Sequence, residues 1–455
     1  MKKIVLALLA AVLVLSAVEW DVEQVVDPSG LPAYMSTLTL DQVGTPHIVY
    51  YVIDDEAKVY ILKFAQHIGE NWQIRDVATV PRYKLTFSFD FNSLNDVVIA
   101  YTDSVPVGNT DIFLAIDDEL AFDYVNLTDD ALLQLDPVVH VGSDGIARLV
   151  YREQNDDGYN LRYGWYSGEA FFSESVRDSM GSYHLGFDFC LDAGNEPHVF
   201  YSGDDGNLWY ATRAGANDWS NTSLEIRGDQ PSVAADAQGY FHIGCENPPE
   251  IYYVTNASGT WQEEMVEMNT SGDENWVHPS LALDPEGIAH VTWYTWFAPF
   301  SLAAALEVWY ASRIDGSWSE GVSLPPDQDK IFGYVNPFHI DSEGYGHICY
   351  TIFDVYYVKT TEPLTEDVSE RPAASNPFNL EVHGSSVHFS LPEQGSISVN
   401  LYDACGRRVS HLASGSFEAG EHAIHISTTD LSSGVYFIRA EIAERSASAK
   451  FVLTR

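Results

Sequence analysis

Carboxylates are the most abundant groups in this chain able to do chemistry, and many fall in short turns between strand-like runs. They are Asp54, Asp55 and Glu56; Asp103 and Asp111; Glu153, Asp156 and Asp157; Asp204 and Asp205; Glu246 and Glu250. Clustered carboxylate oxygens suit a hard cation, so Asp54, Asp55, Asp156, Asp157, Asp204 and Asp205 are the candidate calcium ligands, and plain solvated turns are the favoured alternative. No turn has the spacing of a known calcium loop, and no other cofactor is suggested. Two such carboxylates could also act as acid and base on a glycosidic bond, but the spacing singles out no pair. Beside them lies an aromatic insertion, Tyr294-Thr295-Trp296-Phe297-Ala298-Pro299-Phe300. Tyr294, Trp296, Phe297 and Phe300 offer rings that would stack on a sugar, anchor a protein, or plug a channel.

Histidine recurs in a fixed phrase, Asp-x-x-Gly-x-x-His: Asp41, Gly44, His47; Asp236, Gly239, His242; Asp284, Gly287, His290; Asp341, Gly344, His347. A fifth copy has Asp192, Asn195 and His198, with Asn in the place that needs a left-handed backbone. Two degraded copies are Asn92, Asn95, Val98 and Gly142, Gly145, Arg148. A histidine repeated in every copy is dispersed around the molecule, too far for one metal whose ligands sit within about 2.3 Å. The expected role is local: each His ties down its own turn, with the repeat's Asp as partner.

These phrases start at 41, 92, 142, 192, 236, 284 and 341, a mean period of 50 residues. Between them come short runs rich in Val, Ile, Tyr and Trp, with almost no helical periodicity. That period predicts an all-β chain built as a seven-bladed β-propeller of four-stranded blades, over residues 18–365. The seventh copy lacks the Trp that opens the last strand elsewhere (Trp219, Trp261, Trp318), while Trp20 to Val26 looks like that strand standing alone. The N-terminal strand is therefore expected to complete the last blade and leave no open edge.

Lys2 and Lys3, the apolar run Ile4 to Leu15 and the small pair Ser16-Ala17 read as a signal peptide, residues 1–17. No later stretch is long and apolar enough to span a bilayer as a helix. Residues 18–370 hold 14 Lys or Arg against 58 Asp or Glu. Such a field repels phosphate backbones, which excludes nucleic acid as a partner and favours cations or basic groups. Cys190, Cys245, Cys349 and Cys405 lack CxxC spacing and read as buried thiols.

The acidic bias ends at a Pro- and Ala-containing linker, 366–375, and alternating strands follow from 376 to 455. They predict a small Ig-like β-sandwich. Phrases there resemble, in order and spacing, the type A sorting domain of type IX secretion: Asn376-Pro377-Phe378-Asn379, Leu401-Tyr402-Asp403-Ala404-Cys405-Gly406-Arg407, Gly420-Glu421-His422, Leu431-Ser432-Ser433-Gly434-Val435-Tyr436-Phe437 and Lys450-Phe451-Val452-Leu453. The resemblance implies that the type IX secretion machinery is a partner, and export to the extracellular or outer-membrane surface. It also implies that Asn376, Pro377, Phe378, Tyr402, Asp403, Gly406, Gly434 and Tyr436 serve sorting or the fold. The propeller resembles sialidase-like Asp-box propellers in outline, with Ser312-Arg313-Ile314-Asp315-Gly316-Ser317-Trp318 as a shifted box. An Arg-Ile-Pro phrase is missing near the start, so sialidase catalysis is not implied.

The expectation is a surface protein whose propeller binds a glycan or surface protein, more a binder than an enzyme. A secreted glycoside hydrolase or lyase and a purely structural propeller are the alternatives.

Overall fold

A 50-residue repeat leaves room for four strands and their turns, and that is what the copies form. The computed structural model describes residues 18–364 and 379–453, apart from residues 70, 83–84, 106–108, 118–120, 156–157, 182–185, 269–273, 298–306, 315, 325–336, 384–385, 392–394, 404–407, 418–419, 427–430, 432–433 and 443–444. Two compact units are present, Met1–Glu366 and Asp367–Arg455.

The first unit is a seven-bladed β-propeller. In blade 1, strand A (Ala33–Leu40), strand B (Pro46–Asp54), strand C (Val59–Ile68) and strand D (Asn71–Pro81) form an antiparallel meander. The A strands of blades 2 to 7 are Phe87–Phe91, Leu133–Val141, Phe187–Leu191, Asp229–Ala235, Glu274–Leu283 and Phe338–Ile340. Each touches the A strand of the next blade, and the seventh touches the first, which places them in a ring around the central channel.

The N-terminal strand closes that ring. Trp20–Val25 pairs antiparallel with Asp354–Thr360, strand C of blade 7, from Trp20 opposite Thr360 to Val25 opposite Val355. Closure leaves blade 7 with a full set of four strands drawn from both ends of the unit.

The repeated phrase sits at the turn from strand A to strand B. Asp284 Oδ1 accepts the N–H groups of Glu286 and Ile288, and Gly287 N–H donates to the Asp284 carbonyl. That turn needs a left-handed backbone, which Gly44, Gly145, Gly239, Gly287 and Gly344 supply freely at φ near +80° and Asn95 and Asn195 reach at 68° and 63°. The His six residues on approaches the Asp at 3.5, 3.3, 3.2 and 3.0 Å in blades 1, 5, 6 and 7, as the sequence predicts.

The second nitrogen of that His meets a tyrosine on strand C. Tyr210, Tyr253, Tyr310 and Tyr357 lie 2.5–2.8 Å from Nδ1 of His198, His242, His290 and His347. Against each of these tyrosines packs a tryptophan from strand D of the following blade. The ring centroids of Tyr210–Trp261, Tyr253–Trp318, Tyr310–Trp20 and Tyr357–Trp72 are 5.3–6.0 Å apart. Trp20 thus fills the position in blade 7 that Trp318 fills in blade 6. Each edge-to-face pair contributes about 0.5–1.5 kcal/mol beyond its buried area.

Among the described cysteines, Cys190, Cys245 and Cys349 are free thiols, and burial pushes Cys349 up to about 12, which leaves it unreactive.

The second unit holds two antiparallel sheets. One is Asn379–His383, Ser386–Leu391 and Gly420–His425; the other is Arg408–Phe417, Gly395–Asp403, Gly434–Ile442 and Arg445–Leu453. Val387 and Phe389 from the first meet Ile397, Val399, Leu401, Tyr436 and Ile438 from the second in one buried core, the arrangement of a small β-sandwich.

Candidate functional site

An inner strand has a neighbour on one side only, so its other edge carries N–H groups with no ladder partner. Here the preceding blade supplies the acceptors. Ser88 Oγ and Asp90 Oδ2 of blade 2 accept the N–H groups of Val139 and Val141 in blade 3. Asp188 Oδ2 of blade 4 accepts Val233 N–H, Ser232 Oγ of blade 5 accepts Leu281 N–H, and Ser280 Oγ of blade 6 accepts Phe338 N–H.

The position two residues before the repeat's Asp forms one level of this channel: Thr39, Asp90, His140, Cys190, Ala234, Ala282 and His339. Scaffold positions repeat from blade to blade, whereas these differ. His140 Nδ1 lies 3.4 Å from Asp90 Oδ2, and its side chain is 40% exposed. Burial works to lower the His140 pKa, but the bond and charge of Asp90, the charge of Asp188 and the Phe189 carbonyl together raise it. Burial pushes Asp188 up to about 6, against the charge of His140 and the N–H groups of Val233 and Phe189. His339 is held down to about 4 by burial. The channel thus holds His140, whose positive form is favoured by two nearby carboxylates, and, across from them, a neutral His339.

Six residues before the repeat's Asp, near the turns that join strands B and C, the A strands bulge. The register with strand B shifts between Tyr34 and Ser36, Leu135 and Val138, Asp229 and Ser232, and Val277 and Ser280. Inside those bulges Met35, Asp136, Gln230 and His278 take φ of 42°, 53°, 48° and 51°. A left-handed backbone at a residue other than glycine costs about 1–2 kcal/mol and recurs where a side chain has to be re-aimed. Strand B side chains of the same or the preceding blade brace two of these bulges, at Asp136 and His278. Arg152 bonds the Asp136 carboxylate, Glu246 Oε2 accepts the His278 N–H at 2.6 Å, and Tyr294 stacks on His278 at 5.4 Å. Burial drives the Glu246 carboxyl up to about 7, with the charge of Asp229 adding to it.

The predicted ligand residues that are described are each engaged within or near their own turns. Asp54 Oδ1 accepts the N–H groups of Glu56 and Ala57 in its own turn, and Asp55 pairs with Arg82 at 2.6 Å. Asp204 accepts Gly181 N–H, while Asp205 accepts Asn207 N–H and Trp209 Nε1–H. Asp156 and Asp157 lie outside the described residues. Among the described residues, no three His, Cys, Asp or Glu side chains gather as a metal site. Tyr294 is 5% exposed, buried against His278. Trp296 and Phe297 continue strand B of blade 6 opposite Asn275 and Glu274. Their side chains, and Phe300 altogether, lie outside the described residues.

Sequence reasoning passed over Asp90, His140, Asp188, Asp136, Gln230 and His278. The signal was available: aligning the repeats on their Asp exposes positions six, four and two residues earlier whose chemistry changes from copy to copy.

In the second unit Tyr436 is a core residue, Tyr402 and Asp403 end one strand and Gly434 opens another. Asn376, Pro377, Phe378 and Gly406 lie outside the described residues.

No curated protein matches the chain. Among solved structures, a Porphyromonas gingivalis protein, PorZ, described as a bacterial surface component of the type-IX secretion system, shares 12% identity over 92% of this chain and 59% of its own, with a TM-score of 0.45. Aleuria aurantia lectin in complex with Fucα1-6GlcNAc shares 14% over 64% of this chain and 96% of its own, with a TM-score of 0.42. A Hadza microbial sialidase shares 12% over 72% and 65%, with a TM-score of 0.40. Residues 375–454 match the family model of the Secretion system C-terminal sorting domain. The chain therefore carries a sorting domain of that family at its C-terminus, and it is exported to the extracellular or outer-membrane surface.

Proposed function

We propose that the propeller is a binding module for a glycan or another surface component, displayed outside the cell by its C-terminal sorting domain. One observation carries this reading: the half-buried, left-handed residues Met35, Asp136, Gln230 and His278 stand at one repeat position, and all four differ. A purely structural ring has no use for strain at four blades with four different side chains, whereas a site for an irregular polar ligand does. In this reading residues 1–17 are the leader that starts export, 18–365 the module, 366–375 a linker and 376–455 the sorting domain.

The test is retention of the mature chain on a panel of immobilised glycans. Gln230→Gly and His278→Gly remove the side chains while keeping a backbone that tolerates positive φ. Selective retention by the wild type that both variants lose supports the proposal. Retention unaffected by either variant, or none on any glycan or surface extract, overturns it. Sugar released from a retained glycan would turn the reading to a hydrolase, with Asp188 and Glu246 as the first carboxyls to substitute.

A further inference from the structure

Strands B and C of blade 2, Val97–Val105 and Asn109–Asp117, place Asp103 directly opposite Asp111 in their ladder. Like charges directly opposed across an antiparallel pair are unfavourable, and burial makes them more so. Asp111 is 1% exposed. Its Oδ2 accepts Asn126 Nδ2 at 2.8 Å, but its Oδ1 is buried with no hydrogen-bond partner, and Asp103 Oδ1 is in the same condition. Two buried acceptor atoms on facing carboxylates, with no donor reaching either, describe a site short of positive charge.

The surroundings deepen that deficit. Asp129 and Asp130 add negative charge beside Asp111, and Asp103 feels the charge of Asp111 itself. Burial, first, and these charges, second, raise both carboxyls above the usual range. The remaining help is modest: the Ser104 N–H for Asp103, and Asn126 and the Asp130 N–H for Asp111.

We propose that Asp103 and Asp111 together hold a divalent cation of the calcium type between strands B and C of blade 2. Directly opposed residues have Cβ atoms about 4.5–5.5 Å apart, within which two carboxylate oxygens can each approach one ion to about 2.3–2.6 Å. The donors are oxygens only, with neither thiolate nor imidazole, which selects a hard ion over zinc or copper. Two carboxylates supply only part of a calcium shell of about six to eight oxygens, so solvent and backbone oxygens complete it. This site is separate from the exposed turns at Asp54, Asp55, Asp204 and Asp205, whose carboxylates are already engaged by local donors.

The experiment uses the full mature chain. Thermal unfolding is followed in chelator and in calcium chloride at matched ionic strength, and calcium binding is titrated calorimetrically. Variants are Asp103→Asn/Asp111→Asn and, as a control for the acidic surface, Asp54→Asn/Asp55→Asn. The expected result is one calcium per chain and an upward Tm shift of a few degrees in the wild type and the control, both lost in Asp103→Asn/Asp111→Asn. That variant should unfold in chelator at or above the wild-type temperature, because the like-charge pair is gone, which shows that it folds. A wild-type Tm indifferent to calcium, or an equal shift in Asp103→Asn/Asp111→Asn, overturns the proposal and leaves the pair sharing a proton.

Discussion

The Tyr310 hydroxyl lies 2.8 Å from Nδ1 of His290. Through this bond strand C holds the histidine whose Nε2 faces Asp284, so the A-to-B turn, strand B and strand C of blade 6 are fixed by one chain of contacts. Trp20 packs on the other side of Tyr310 and links the chain to blade 7.

Blade 1 has performed the corresponding deletion. Phe64 occupies the tyrosine position, stacks on His47 at 5.5 Å, and leaves His47 Nδ1 buried without a partner. Phe64→Tyr is expected to stabilise the propeller by about 0.5–1.5 kcal/mol, and Tyr310→Phe to destabilise it by a similar amount. Urea midpoints of the two variants check the pair; a destabilising Phe64→Tyr would show that the pocket cannot admit the hydroxyl.

Glu174 is 3% exposed on strand D of blade 3, yet its partners come from blade 4. It bonds Arg213, accepts Asn217 N–H at 2.8 Å and Trp219 Nε1–H at 3.0 Å. Glu174→Ala strands three donors between two blades, and a loss of about 2–4 kcal/mol is expected. Chemical denaturation measures it, and Arg213→Ala in the same background should add little.

Glu246 makes stability depend on pH. Its folded pKa of about 7 lies above the usual carboxylate value, so the folded state binds the extra proton and stability falls as pH rises through the interval between them. Glu246→Gln keeps an acceptor for the His278 N–H and removes the charge. At pH 8 it should stabilise by on the order of 2–3 kcal/mol, and at pH 4 the gain should vanish. Equal effects at both pH values would mean that Glu246 ionises normally.

Closure by the N-terminal strand predicts a topological weakness. Deleting residues 18–26 removes the six-residue ladder to strand C of blade 7 and uncovers its edge. The expected outcome is a lower Tm with concentration-dependent association, read by calorimetry and size-exclusion chromatography. A monomer with unchanged Tm would show that the ring is held by blade-to-blade packing alone.

The sequence by itself determined the blade count, the turn chemistry, the closing strand and the sorting domain. Each follows from short phrases read locally or from their recurrence along the chain: a φ near +80° at Gly287, an Asp–His pair six residues apart, the lone Trp20 strand, the phrases after residue 375. Tertiary structure alone decided how the copies are joined. Trp318 finds Tyr253, Asp90 finds Val141, and Glu174 finds Arg213 only once adjacent blades pack, across separations that no local pattern records. The same is true of the mouth. Met35, Asp136, Gln230 and His278 show in sequence only as a repeat position of changing chemistry, because the bulges that re-aim them arise where strand A must both pair with strand B and curve around the channel. The opposed Asp103 and Asp111 are legible as two acids; that they face each other with unpartnered oxygens follows from strand register and burial.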